Sequence, residues 1–223
     1  MEYRDHLLRE IACYQKLDAT AHPYVLSSLG NNGDLEAPAL YLPYMENGDL
    51  MTYLELHGTK TTPAQRMKWA FQLTLAILYL HEQRIFHTDL RPPNILIDAE
   101  LNLKVADFEG ASFDGHGGTA CVTPQYSTKQ YGFYASLTDD KLREVDIFCL
   151  AGLLYVIQTG MEPFEAFEED AQFLEAYGQQ NFPDMSGVAL GDLIEDIWRG
   201  DITNAKDILV RIVNDNNFLD LLC

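Results

Sequence analysis

From Glu144 to about Gln158 the chain is apolar nearly all round, leaving no polar face on which a helix could meet water. A helix of that kind has to lie at the centre of a lobe, wrapped by other elements on every side. The apolar run itself, Ile147 to Ile157, is about half of the ~20 residues a bilayer-spanning helix needs, so protein and not lipid must do the wrapping. A chain of 223 residues can supply it within one good-sized core. The outer surface is strongly acidic, with 34 acidic against 15 basic residues and a net charge of −19, which repels nucleic acid and anionic lipid alike. Neither a nucleic-acid nor a membrane partner is expected. Cys13, Cys121, Cys149 and Cys223 show no CxxC or Cys/His metal spacing, and two of them sit in apolar helical contexts where a free thiol acts as a small hydrophobe. That usage implies a reducing compartment. The start, Met1 to His6, lacks the apolar run of a signal peptide, and a soluble, cytoplasmic protein is expected.

Around the central segment the periodicities alternate between helix and short strand. Leu7, Leu8, Ile11, Tyr14 and Leu17 recur at three- and four-residue spacings, so Tyr3 to Leu17 reads as an amphipathic helix ending before His22-Pro23. The run Tyr24 to Leu29, the Asn32-Gly33 turn signal and the answering strand Ala39 to Leu42 read as a hairpin. Two strands alone are marginal in water, so this hairpin must lean on the first helix or lack partners. A short helix starts at Asp49, and Thr62-Pro63 opens a long one running to about Gln83. Ile95 to Ile97 and Leu103 to Val105 are short strands joined by a polar turn, and further helices lie around Glu168 to Tyr177, Leu190 to Trp198 and Asn204 to Val213. There is no internal repeat, low-complexity tract or domain linker.

The chemistry is concentrated in His87-Thr88-Asp89-Leu90-Arg91-Pro92-Pro93-Asn94 and, thirteen residues after Asn94, in Asp107-Phe108-Glu109-Gly110. Those segments place one proton acceptor and two metal ligands about a hairpin's length apart, as Mg²⁺-assisted phosphoryl transfer requires. Mg²⁺ is a hard cation that takes a carboxylate and an amide oxygen while keeping waters and phosphates. In order of elements and in these motifs the chain resembles a protein kinase from its first helix onward, across essentially all of its length. The resemblance implies an α+β fold, with a partial β-containing N-lobe over residues 1–44 and a complete, mainly helical C-lobe over 45–223. It also implies ATP and Mg²⁺ as cofactors. By the same resemblance Asp89 accepts the substrate hydroxyl's proton, Arg91 steadies the transferred phosphoryl group where a lysine is usual, and Asn94 and Asp107 hold the metal. Glu10 matches the glutamate that pairs with a nucleotide-gripping lysine, although a solvated helix-surface charge reads equally well. Leu42, Tyr44 and Met45 align with the hinge that meets adenine, and Asp146 with the aspartate that ties down the catalytic loop.

Several positions depart from the family. Thr88 replaces an arginine that grips an activation-segment phosphate, which argues against switching by phosphorylation there. Glu109 stands where the family has glycine, removing backbone freedom that Gly110 one place later can supply. Thr128-Lys129-Gln130 stands where A-P-E is expected, so a buried carboxylate partner for an arginine is lost. With its D-F-x-G-A-S form, the combination resembles the divergent small kinase-like proteins of fungi. No glycine-rich loop or strand lysine precedes the first helix; the first lysine in the chain, Lys16, follows Glu10 on the same helix.

Three readings follow. One is a serine/threonine-type phosphotransferase, with Pro92 leaning away from the tyrosine-kinase loop, acting on a protein substrate at reduced rate. Another is a pseudokinase serving as an interaction or scaffold module, and the third is an incomplete product of a longer active kinase. In each, an unpaired strand edge and an apolar patch near Tyr24 to Leu29 are expected to promote self-association.

Overall fold

The computed structural model of the chain describes residues 2–118, 126, 137–215 and 218. Of the Thr123 to Gln130 stretch only Tyr126 is therefore described, and Cys121 and Cys223 lie outside the described residues. The elements in chain order are α1 (Glu2–Asp18), β1 (Gly30–Asn31), β2 (Leu40–Tyr41), α2 (Leu50–His57), α3 (Pro63–Glu82), β3 (Ile95–Ile97) and β4 (Leu103–Val105). They continue with α4 (Asp139–Thr159), α5 (Asp170–Gly178), α6 (Gly191–Arg199) and α7 (Ala205–Val213).

The all-apolar segment is the heart of α4, and every residue from Val145 to Ile157 is buried. The helix starts before the apolar stretch because Thr138 caps it, its hydroxyl accepting the Lys141 N–H at 3.4 Å, while Asp139 and Asp140 meet the positive end of the helix dipole. α4 packs between α3 and α6, and α3 packs in turn on β4 and α7. Thr62 caps α3 through the Gln65 N–H at 3.1 Å, with Pro63 in the first turn. Gly152 in mid-α4 is required by a close approach, since a Cβ there would lie 2.7 Å from the Tyr126 ring. Among the described residues no helix is long and apolar enough to cross a membrane.

The two hairpins differ from the sequence expectation in one respect. β2 pairs with Gly30–Asn31, and of the run Tyr24 to Leu29 only Leu29 reaches it, its N–H donating to Tyr41 O at 2.7 Å. The earlier run attaches elsewhere, the Leu26 N–H reaching Val105 O at 2.9 Å and the Val105 N–H reaching Tyr24 O at 3.0 Å. Val25 and Leu26 are buried by this, because β4 offers an apolar surface that an exposed hairpin does not. The expected patch at Tyr24 to Leu29 thus shrinks to Leu29, and around β1 and β2 the exposed apolar side chains are Leu29, Leu35, Tyr41, Leu42 and Tyr44.

Candidate functional site

The β3–β4 hairpin builds the site. Its register pairs Ile95 with Val105 and Ile97 with Leu103, so Asn94 lies opposite Ala106 and Asp107 emerges at the same end. The Ala106 N–H donates to Asn94 O at 2.9 Å and closes that end. All four pairing residues at the strand ends are buried, which holds the two polar residues in place without help from their own side chains.

The loop before β3 hangs on one buried carboxylate. Asp146, on α4, accepts the His87 N–H at 2.9 Å and His81 Nε2 at 3.0 Å with one oxygen, and the Thr88 N–H at 2.8 Å with the other. Charge-assisted bonds of this type are about twice as strong as neutral ones. They hold Thr88 in a left-handed conformation, φ 62°, that a β-branched residue rarely adopts. The Thr88 hydroxyl then donates to Gly110 O at 3.0 Å, joining this loop to the segment after Asp107. His87 links to the same segment, with its Nε2 bonded to Ala106 O at 2.9 Å and its Nδ1 accepting the Asp89 N–H at 3.3 Å. Both contacts fit the tautomer protonated at Nε2.

Asp89 is held by its neighbours and retains one free oxygen. Oδ2 accepts from Arg91 Nε at 3.2 Å and Asn94 Nδ2 at 3.1 Å, and Nδ2 also reaches Asp89 O at 2.8 Å. Burial pushes the Asp89 carboxyl above its ordinary range, against the opposing pull of Arg91, His87 and Asn94. A raised carboxylate is a better proton acceptor. Arg91 is thus found on Asp89, and to touch a phosphoryl group it has to exchange that contact.

Asn94 spends its amide N–H groups on Asp89, and its Oδ1 accepts no hydrogen bond among the described residues. Asp107 is exposed, stands at φ 65°, and its carboxylate makes no hydrogen bond or ion pair among the described residues. The left-handed strain falls on Asp107 and not on Glu109, so the residue in the glycine position costs the backbone nothing here. Glu10 faces the same space. Its carboxyl is pushed up to about 7 by burial first and then by the negative charges of Asp107 and Glu109, with the Phe108 backbone N–H opposing. No basic side chain pairs with it among the described residues. A free carboxylate, a free amide oxygen and a second carboxyl short of positive charge fit a hard cation. Among the described residues no three His, Cys, Asp or Glu side chains converge well enough to hold a metal on their own, so waters or phosphate oxygens have to complete the shell.

Under Asp107 the aromatic packing is continuous. Phe108 meets Tyr14 of α1 edge-on with centroids 5.3 Å apart and lies 5.2 Å from the His87 ring. α1, the Asp107 turn and the Asp146-anchored loop are therefore one packed unit. Leu42 and Tyr44 lie between β2 and α2, and their backbone groups make no hydrogen bond among the described residues; the Met45 carbonyl accepts the Gly48 N–H at 3.1 Å. Tyr44 is 82% exposed, while Met45 packs on the core.

Sequence reasoning missed three contributors: His81, Tyr14 and the Thr88 hydroxyl. The signal for His81 was present, since a histidine on the apolar side of a long helix needs a buried partner. Nothing local marks the other two.

A family model described as protein kinase domain matches residues 1–217. Among characterised proteins the chain is similar to Serine/threonine-protein kinase RAD53 of Saccharomyces cerevisiae, 32% identical over 180 residues covering 74% of this chain and 21% of that protein. It is 31% identical over 175 residues to CBL-interacting protein kinase 21 of Oryza sativa, covering 74% of this chain and 31% of that protein. To the Aurora kinase of Encephalitozoon cuniculi it is 28% identical over 185 residues, covering 81% of this chain and 64% of that protein. The chain thus spans less than two thirds of each of these relatives.

Proposed function

The chain belongs to the protein kinase family, and on that premise we propose that it binds ATP with Mg²⁺ and transfers a phosphoryl group to a serine or threonine hydroxyl of a protein. The observation that carries this reading is the pairing of Asp89 and Asn94. Asp89 Oδ2 is occupied by Arg91 and Asn94, leaving Oδ1 to accept the proton of an attacking hydroxyl. The same bonds leave the Asn94 Oδ1 unused, so that it and the Asp107 carboxylate would hold a cation. ATP with its cation supplies the transferable phosphoryl group. The chain's own residues orient the hydroxyl through Asp89, would hold the metal through Asn94 and Asp107, and offer the nucleobase the unbonded backbone groups of Leu42 and Tyr44 and the Met45 N–H, the Met45 carbonyl being taken by Gly48. Arg91, released from Asp89, supplies positive charge to the phosphoryl oxygens. Free, buried Cys13 and Cys149 suit a reducing, cytoplasmic setting.

One observation favours a second reading, a non-catalytic interaction module. Thr88 and Glu109 stand where the family carries an arginine and a glycine. A single-turnover assay with γ-labelled ATP, Mg²⁺ or Mn²⁺ and a degenerate Ser/Thr peptide mixture decides between them. Transfer that disappears in Asp89→Asn supports the phosphotransferase. No transfer from a protein shown to bind Mn²⁺·ATP supports the module.

A further inference from the structure

The stretch after Asp107 is folded back as a small hairpin and fastened to one face of α1. The Phe113 N–H donates to His116 O at 3.1 Å and the His116 N–H to Phe113 O at 2.7 Å, while Asp114 and Gly115 between them take φ of 46° and 84°. That is the two-residue turn whose twist suits a hairpin, and it needs Gly115. Its base is fixed by Phe86, which exchanges backbone bonds of 2.9 and 2.8 Å with Ser112. α1 meets this hairpin with three basic side chains at helix-face spacing. His6 Nδ1 lies 2.5 Å from Glu109 Oε1, and Lys16 Nζ lies 2.6 Å from Asp114 Oδ1. Between them the Arg9 guanidinium donates to Ala111 O, at 3.2 Å from Nε, and to Gly117 O. From the opposite side the Thr88 hydroxyl holds Gly110 O.

We propose that this docked hairpin is an intramolecular positioning device, in which His6, Arg9 and Lys16 of α1 hold Glu109 to Gly117 so that Asp107 faces the nucleotide site without any covalent modification of the segment that follows. The proposal rests on the ATP and Mg²⁺ reading above for what Asp107 does, and on geometry alone for the docking. Three features converge on it. Glu109 occupies a place where a residue without a side chain would have no hold on α1. Both acidic side chains facing α1 find a basic partner at hydrogen-bond distance. Arg9 captures two main-chain carbonyls at once, a use that its forked donors suit and a lysine's single point charge does not. The three basic residues are positioning residues, since none of them touches the reacting atoms.

The test uses the full chain and two readouts, amide hydrogen exchange of Phe108 to Ala111 without ligand and the Mn²⁺·ATP dissociation constant. Lys16→Asp should speed exchange at those amides and weaken Mn²⁺·ATP by about two- to fivefold each, the scale of a partly exposed ion pair. Adding Asp114→Lys to it restores the pair with reversed charges and should return both values toward wild type. Arg9→Ala should cost about tenfold or more in each readout, with Arg9→Lys recovering only part. Unchanged exchange in folded Lys16→Asp and Arg9→Ala overturns the proposal, and so does faster exchange with wild-type Mn²⁺·ATP affinity. If the wild-type chain binds no Mn²⁺·ATP, the ATP reading fails and exchange alone judges the docking, the swap's recovery supporting it and a lack of recovery overturning it.

Discussion

The two hairpins have the same antiparallel pairing and opposite fates. In β3–β4 Ile95, Ile97, Leu103 and Val105 are all buried, whereas in β1–β2 and its flanks Tyr41 is 52% exposed and Leu29 71% exposed. The turns do not explain this, because Asn32-Gly33 is the stronger local hairpin signal. What differs is the surface around them. β3–β4 lies against α2 and α3 and receives Leu26 at its edge, while β1 and β2 pair only with one another among the described residues. A hairpin can position side chains at its open end only when tertiary packing fixes both of its strands, and here that condition holds for the strands that carry Asn94 and Asp107.

The comparison can be broken most severely at Leu103. Leu103→Asp places an unpaired carboxylate in the core at a cost of several kcal/mol against a total margin of about 5–15, so cooperative melting should be lost. Tyr41→Asp, the matching change on the exposed hairpin, should stay within about 0.5 kcal/mol of wild type. Equal effects of the two would erase the distinction. Next in size is Asp146→Ala, which strands the His87 and Thr88 N–H groups in the interior. Denaturant unfolding should show a loss of about 3–5 kcal/mol.

A smaller effect, with a sign set by pH, is expected at Glu10. Its carboxyl holds its proton to about 7 in the folded chain against an ordinary value of 4.5. Stability is therefore lost as pH rises from about 4.5 to about 7, because the unfolded chain releases that proton first. Glu10→Gln should melt above wild type at pH 8, by roughly 1–2 kcal/mol once solvent screening is allowed for, and within about 0.5 kcal/mol of it at pH 5. A variant less stable than wild type at pH 8 would contradict the absence of a cation beside Glu10. The smallest effect is on association. If the exposed side chains around β2 draw two copies together, Leu42→Lys should lower the sedimentation-average mass at high concentration and leave the melting temperature unchanged. A wild-type chain that is already monomeric there would remove the reason for the test.

These contrasts also show what was legible in the sequence. α1, α3 and the helices from α4 onward were readable, α4 without its first five residues, because the apolar period of α1, the Thr62-Pro63 start of α3 and the all-apolar heart of α4 are local signals. Asp89, Asn94 and Asp107 were picked out by motif spacing and Asp146 by the family resemblance; Asp146 anchors the loop that carries Asp89, Asn94 bonds to Asp89, and the hairpin register puts Asp107 at the same end as Asn94. The run from Tyr24 was misread because its partner, Val105, is remote in sequence, and an apolar stretch does not say which surface it will find. The same limit hid Tyr14 under Phe108, the Thr88 bond to Gly110 and the fastening of α1 to the Asp114 hairpin. Each is a meeting of distant segments whose residue types are ordinary on their own.

A melting experiment with ATP, with and without Mn²⁺, probes the proposed cation site of Asn94 and Asp107. A ligand that binds only the folded chain at ten times its dissociation constant stabilises it by about 1.4 kcal/mol, or roughly 3–5 °C for a chain of this size. Binding at this site should give a shift on that scale that requires the metal, survives in Asp89→Asn, and loses most of its metal-dependent part in Asp107→Asn, where a neutral amide replaces the carboxylate. A folded wild-type chain whose melting temperature does not respond to Mn²⁺ at millimolar ATP would contradict it.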